Sequence, residues 1–300
     1  MLEPSATLPS RDQNGIYQFA EPSSHILHSR AREYHWHGEG TLSIKTFSGG
    51  RALYNAGGGS YAVDDTSYLV LNEGQPYEIT IESLTEVESF CVFFGPGLAH
   101  EVYHGMTTPL DGLLDDTEGA AMTPPRFFER TNAHDGILSP ALRGLKAEVG
   151  RRGRDQAGLD EQFRDLMVRL LQVHHNLCGE VAALPAARAA TREELYRRLH
   201  RARDYVHAYY DQRITLDDMA RAADLSPTHL LRTFRGAFGQ TPYQYVIARR
   251  LERAQKLLRE TDTSVTEICF ALGFESLGSF SWSFRRRVGL SPEAYRRAIG

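Results

Sequence analysis

Three cysteines in 300 residues are too few and too scattered for a disulfide framework. Cys91, Cys178 and Cys269 stand among apolar neighbours, which predicts reduced, buried thiols rather than zinc ligands. Also missing is any stretch near the ~18 continuous apolar residues that a membrane helix needs, and MLEPSATLPSRDQNG has no basic start leading into an apolar run. A cytoplasmic protein with no membrane partner is therefore expected. No glycine-rich phosphate loop occurs either. Gly57-Gly58-Gly59 lacks a following Lys-Ser/Thr and a helix, and reads as a hairpin tip.

With 41% apolar and 24% charged residues, the chain has the makeup of an ordinary globular protein, and its length suits two domains. The net charge of −4 is unevenly spread. Residues 191–300 hold 19 Lys+Arg against 13 Asp+Glu, whereas residues 1–190 hold 15 against 25. A polyanionic partner for the C-terminal part alone is the reading this asymmetry favours.

Residues 1–20 are expected to be a flexible N-terminus, and residues 21–137 a β-rich domain. From about 40 to 94, TLSIKTF, YAVDD, SYLVLN, YEITIESL and ESFCVFF alternate near period two between turn signals such as Ser48-Gly49-Gly50 and Asn72-Glu73-Gly74, the pattern of a small β-sandwich or barrel. A short helical patch near 98–104 and the irregular segment TTPLDGLLDDTEGAAMTPP follow. Residues 138–178 read as helical, with helices around 139–150 and 160–177. On the second, Phe163, Leu166, Met167, Leu170, Leu171 and His174 form one apolar stripe. This stripe suits the β-domain or a second copy of itself; the second copy, a dimer contact, is the expectation here. Ala-rich GEVAALPAARAAT, residues 179–191, is read as the interdomain linker, and residues 192–300 as a helical domain.

That last domain repeats itself. Leu216, Met219, Ala220 and Ala222 recur 49 residues later as Val265, Ile268, Cys269 and Ala271. Ser226, Phe234, Arg235, Gly239 and Pro242 recur 50 later as Ser276, Phe284, Arg285, Gly289 and Pro292, so one extra residue falls in the turn. Thr215 with Asp218, and Ser264 with Glu267, have the spacing of capping boxes, and Ser226-Pro227 supplies an N-cap and a preset first residue. Gly273 is placed for a left-handed turn, with Asp224 in its place in the first copy. Each copy is thus helix, tight turn, helix, the helix-turn-helix whose second helix enters a DNA major groove. Between them PYQYVIARRLERAQKLLRE predicts a helix holding the units at fixed separation, with Val246, Ile247, Ala248, Leu251, Ala254, Leu257 and Leu258 on its apolar face.

Residues 195–297 resemble the DNA-binding domain of the AraC/XylS family of bacterial transcription regulators, most specifically in Gly273-Phe274-Glu275-Ser276, Phe280, Phe284, Gly289, Ser291-Pro292 and Tyr295-Arg296. The resemblance implies an α+β multidomain fold: an N-terminal cupin-like β-barrel or sandwich with helices, then an all-α domain with two helix-turn-helix units. It implies a regulator, by habit an activator, that binds double-stranded DNA, engages RNA polymerase, answers to an unidentified small-molecule effector and forms a homodimer, with no cofactor and no enzymatic activity. Carried over residue by residue, base readout falls to Thr228, Leu231 and Arg232 in the first unit and to Leu277, Gly278, Ser281 and Trp282 in the second, with Leu230, Phe234, Phe280 and Phe284 in the core. Trp282 departs from the family, where arginine is common; it suits apolar contact with a thymine methyl or sugar, or packing on the protein. Arg235, Arg285, Arg286 and Arg287 follow the recognition helices and are assigned to phosphates.

Two segments imitate enzyme chemistry. His100-Glu101-Val102-Tyr103-His104 spells HExxH, yet Gly95-Pro96-Gly97 and Gly105 leave only a short helix, and Glu129 as third ligand lies across a Pro-rich loop. His35-Trp36-His37 puts two histidines on one strand face, as in cupin metal sites, but the partner strand SYLVLNEGQPYEI offers no histidine. No metal is expected, the alternative being a metal-dependent cupin or zinc hydrolase fused to a DNA-binding tail. His35, Trp36, His37, Tyr54 and Tyr61 are the candidates for an effector pocket. Phe47 and Tyr68 join them as strand aromatics, which are core more often than ligand contacts.

Overall fold

The structure, a computed structural model, describes residues 10–11, 17–18, 23–107, 125–152, 156–182 and 188–299. Two compact units divide the chain, Met1–Ala183 and Leu184–Gly300. The expected flexible N-terminus lies outside the described residues, apart from an antiparallel pairing of β1 (Ser10–Arg11) with β2 (Tyr17–Gln18). Most of the irregular segment, residues 108–124, lies outside them too. Among the described residues no helix is long and apolar enough to cross a membrane.

The first unit is built around one long strand. β3 (His25–Gly40), β4 (Ser43–Ser48), β5 (Ala52–Ala56), β6 (Gly59–Val63), β7 (Ser67–Leu71), β8 (Gln75–Phe93) and β9 (Thr131–Ala133) form a single antiparallel sheet in the order β6-β5-β8-β4-β7-β9. β3 pairs with the other edge of β8 from His25↔Phe93 to Gly40↔Gln75, with a register shift between Ala31 and Glu33. On its inner edge β8 gives its first part, Tyr77–Thr80, to β5 and its last part, Glu88–Phe93, to β4. A strand of this length serving two partners in succession must bend, and the sheet curls into a nearly closed barrel. The β5–β6 hairpin turns at Gly57 and Gly58, with φ of 55° and 76°, the two consecutive positive angles of a tight hairpin loop, as the three-glycine run predicted.

Alternation along the strands sorts side chains into two cores. Inward lie Trp36, Phe47, Tyr54, Tyr61, Leu69, Leu71, Tyr77, Ile79, Ile81, Cys91 and Phe93. Outward, Ile26, Ile44, Tyr68, Val70, Phe90 and Val92 meet helices α1 (Leu98–Thr107), α2 (Ser139–Arg152) and α3 (Gln156–Ala182). Tyr68 therefore leaves the set of pocket aromatics: it faces the helices and donates to Asp135 at 2.8 Å.

The apolar stripe of α3 is used inside the chain. Phe163, Leu166, Met167, Leu170 and Leu171 are all buried in the core between sheet and helices. The expected dimer contact through this stripe is corrected for a plain reason: the outer sheet face is itself apolar and takes up the stripe first. The linker is also shorter than 179–191. α3 continues to Ala182 and α4 (Ala189–Tyr209) begins within the same span, because the Ala-rich sequence favours helix; residues 183–187 lie outside the described residues. Cys91 and Cys269 are buried as expected but Cys178 is exposed. It lies on the solvent side of α3, one turn from His174, to which it is hydrogen-bonded at 3.6 Å.

Leu166 tests the first correction. Leu166→Ala should destabilise the first unit by about 2–5 kcal/mol, as for a buried core leucine. In chemical denaturation the loss should appear at low and high protein concentration alike; a loss confined to high concentration would restore the stripe to a dimer interface.

Candidate nucleic-acid interface

Among its described residues the second unit has seven helices around one core. After α4 come α5 (Leu216–Ala222), α6 (Pro227–Phe238), α7 (Pro242–Glu260), α8 (Val265–Ala271), α9 (Leu277–Val288) and α10 (Pro292–Ile299). Both capping boxes form: Thr215 with Asp218 at the start of α5, Ser264 with Glu267 at the start of α8. A third, Thr241 with Gln244, opens α7. Ser226 and Ser276 cap α6 and α9, and Gly239 and Gly289 close them with φ of 70° and 88°.

The two tight turns superpose in their hydrogen bonding. Asp224, with φ of 51°, is the one non-glycine residue of positive φ among the described residues, and Gly273 with φ of 74° is its counterpart. Leu225 N–H donates to the Ala220 carbonyl and Phe274 N–H to that of Cys269, the same bond 49 residues apart. Glu275 is then the extra residue, lodged between the turn and the Ser276 cap.

Each turn is also held by an arginine from the preceding long helix. Arg198 of α4 donates through Nη1 to the Asp224 carbonyl at 2.7 Å. Arg250 of α7 donates through Nη1 to the Gly273 carbonyl at 2.7 Å, and also through Nε to the Tyr210 carbonyl and Nη2 to the Gln212 carbonyl at 2.7 and 2.8 Å. Arg250 and Tyr210 are buried, so the Tyr210 carbonyl has the arginine in place of water, while Gly273 is half-buried and Gln212 exposed. A Cβ on Gly273 would stand 2.8 Å from the Asp211 carbonyl oxygen and 2.9 Å from Arg250 Nη2. Glycine is required there by space as well as by φ. Composition alone gave no sign of Arg250, which sits in a helix rich in arginine.

The faces these devices orient are those the sequence predicted. Leu230, Phe234, Phe280 and Phe284 are fully buried. Thr228, Leu231 and Arg232 on α6 and Leu277, Gly278 and Trp282 on α9 are exposed, and Ser281 is half-buried. Leu231, Leu277 and Trp282 stand 43%, 40% and 62% open. Arg235, Arg285, Arg286 and Arg287 are exposed beyond them. Arg286 has a second role: its guanidinium lies over the Trp282 ring, 5.1 Å from the centroid, which fixes the indole upright by a cation–π contact. A Cβ at Gly278 would meet nothing, so that position is open to an incoming surface.

Between α4 and α7 lies a part-buried polar node. His207 is hydrogen-bonded to the Tyr245 hydroxyl at 2.7 Å. Burial, and then the charges of Arg249 and Arg203, push its imidazole well below its ordinary 6.5, so it is neutral in the folded protein.

Elsewhere lie the two segments that imitate enzyme chemistry. On α1, His100 and His104 stack 6.3 Å apart and Glu101 is engaged by Arg164 at 2.7 Å. His35 lies outside the barrel, 3.4 Å from Glu78, while Trp36 between the two histidines points inward. His37 lines a cleft at the barrel mouth and is exposed. Among the described residues no group of three or more His, Cys, Asp or Glu side chains is placed to hold a metal ion.

Sequence comparison agrees with the repeat. A family described as a helix-turn-helix domain matches residues 219–298. A transcriptional regulator of the helix-turn-helix type from Bacillus subtilis, YobQ, is 26% identical over 212 residues, 66% of this chain and 87% of its own length. The melibiose operon regulatory protein of Escherichia coli K12 is 32% identical over 93 residues, 31% of each chain, so less than a third of that relative is spanned. Among solved structures, a transcriptional regulator from Chromobacterium violaceum with an AraC-type DNA-binding domain is 28% identical, with a TM-score of 0.33, over 38% of this chain and 97% of its own.

Two outcomes follow. Gly273→Ala should cost the second unit about 1–3 kcal/mol for a strained left-handed residue, whereas Asp224→Gly should be neutral or stabilising; unfolding midpoints read both. As for pH, the unfolded His207 takes up a proton near 6.5 that the folded one refuses. Its contribution is therefore complete above that pH and is lost as pH falls below it. Hydrogen-exchange protection of α4 and α7 should drop from pH 7.5 to 5.5, and His207→Phe should flatten that drop.

Proposed function

Because this chain belongs to the AraC/XylS family of DNA-binding transcription regulators, we propose that α6 and α9 are its recognition helices. The observation that carries this is the pair of exposed faces, Thr228–Leu231–Arg232 and Leu277–Gly278–Trp282, each set on a turn pinned by an arginine. Arg232 bonds O6 and N7 of a guanine through its planar fork. Trp282, propped by Arg286, contributes apolar contact with a thymine methyl or a sugar; Ser281 at its edge accepts or donates one bond. Arg235, Arg285 and Arg287 neutralise phosphates and fix register. The two units thus read unlike sequences, and the operator is asymmetric.

The first unit is the sensor in this reading. An effector acts by differing in affinity for two arrangements of the chain, only one of which suits the operator. Trp36, Tyr54 and Tyr61 inside the barrel support it; His35, on the outside, is withdrawn from the candidate pocket. Activation, RNA polymerase contact and dimerisation enter through the family resemblance.

Arg232→Ala should cost ~1–3 kcal/mol on the preferred duplex and flatten discrimination at one base pair. Arg287→Ala should weaken all duplexes alike and lower the salt slope by about one. Equal affinity of the wild-type protein for every duplex at moderate salt would defeat the assignment.

A further inference from the structure

β3 is a long strand at the edge of its sheet. It runs 16 residues, against about 5–6 for an ordinary strand. Among the described residues it pairs with β8 alone, and no strand is paired with its other edge. His28, Ser29, Arg30, the run Arg32 to His35, and His37 are exposed along it. An open edge of this length is a template for a strand from another chain.

The side chains of β3 change sides once along its length. Ile26 belongs to the outer core and His28 and Arg30 meet Glu88 on that side, whereas Leu27 packs inward. Beyond the register shift between Ala31 and Glu33 the order is reversed: Trp36 packs inward, with Tyr34 on its side, and His35 meets Glu78 outside. Even-numbered residues are therefore outer before Arg32 and inner after it. Two copies of β3 laid antiparallel about a two-fold axis keep inner beside inner only where odd-numbered residues meet even-numbered ones across the shift. With the axis between Ala31 and Arg32, Ser29 faces Tyr34 and Leu27 faces Trp36 on the inner side, while Arg30 faces Glu33 on the outer side, twice by symmetry. The adjacent registers of the same parity lose that match, setting Arg30 against Ala31 or His35. Arg30 is 65% open beyond its 3.3 Å contact with Glu88, and among the described residues Glu33 has no ion-pair partner within its own chain.

We propose that the open edge of β3 is a homodimer interface, at which a second copy adds its own β3 and makes one sheet continuous across two first units. Backbone hydrogen bonds supply the affinity, and the two Arg30–Glu33 pairs select the register, since exposed ion pairs add little strength by themselves. Tyr34, a large ring 44% open on the inner side of the strand, lies against Ser29 of the second copy. A strand edge buries less than the about 1,200–2,000 Å² of a standard interface, so the dimer forms and dissociates with concentration. The interface is separate from the α3 stripe, which is buried in its own chain, and from the recognition helices. On the DNA-binding reading, two joined copies carry two second units and hold paired sites more tightly with no new contact to a base.

Sedimentation velocity of the full-length chain without DNA, across the micromolar range, tests this. Wild type passes from monomer to dimer as concentration rises. Arg32→Pro removes an edge N–H at a residue that has no partner in the β3–β8 register, and Glu33→Arg sets like charges opposite each other at both ends of the pairing. Each raises the dissociation constant by about tenfold or more. Arg30→Glu combined with Glu33→Arg restores dimerisation, because the exchanged charges match again in this register and in neither adjacent one. Thermal unfolding verifies that each variant is folded, and the charge variants decide if the proline variant is not. A monomer at every concentration, a dimer indifferent to both single variants, or a folded double variant that stays monomeric overturns the proposal. Since DNA is absent, that failure leaves the operator assignment standing.

Discussion

In both helix-turn-helix repeats an arginine from the preceding long helix donates to the carbonyl of the left-handed turn residue. Arg198 does so for Asp224 and Arg250 for Gly273. Guanidinium suits the task because it offers several donors in one plane and never loses its charge. Arg250 goes further, collecting carbonyls from the end of α4 and from the turn of the second unit onto the middle of α7. That knot ties the middle of α7 to the end of α4 and to the turn between α8 and α9. Without it, the buried Tyr210 carbonyl would be left unpaired, a burden of about 1–3 kcal/mol.

The two copies carry out one plan with different margins. The first holds its turn with an aspartate, a more exposed arginine and an additional ion pair between Arg198 and Asp224 at 3.2 Å. The second has no room for a side chain at Gly273, and its arginine is sealed. Tighter construction accompanies an exposed face on which Trp282 lies under the Arg286 guanidinium. On the proposal that this face makes apolar contact with DNA, position matters more than for a charged group, because contact energy falls off steeply with distance.

The first unit obeys a different constraint, one strand shared by too many partners. β8 pairs along one edge with β3 and divides the other between β5 and β4, so the sheet bends and an interior opens. Its outer face is closed by α1, α2 and α3, which takes the α3 stripe out of any intermolecular role. The inner face keeps Lys45, on which no carboxylate bears among the described residues. A protein selected for stability alone would have methionine or leucine there.

Sequence by itself determined a good deal: the hairpin at Gly57-Gly58, the capping boxes, the 49- and 50-residue repeat, and the division of α6 and α9 into Phe234 and Phe284 inside against Arg232 and Trp282 outside. All of these are governed by neighbours a few residues away, where period and turn chemistry act. It also gave Asp224 and Gly273 as equivalent turn residues, since a positive φ is a local demand. Tertiary structure decided what depends on partners far along the chain. Lys45 reads as an ordinary strand lysine until β8 seals it behind Phe93 and Tyr77, and Arg250 as one arginine among many until three carbonyls from other segments converge on it. The α3 stripe could have met its own sheet or a second copy on pattern alone, because periodicity specifies that a face is apolar and leaves open which surface covers it.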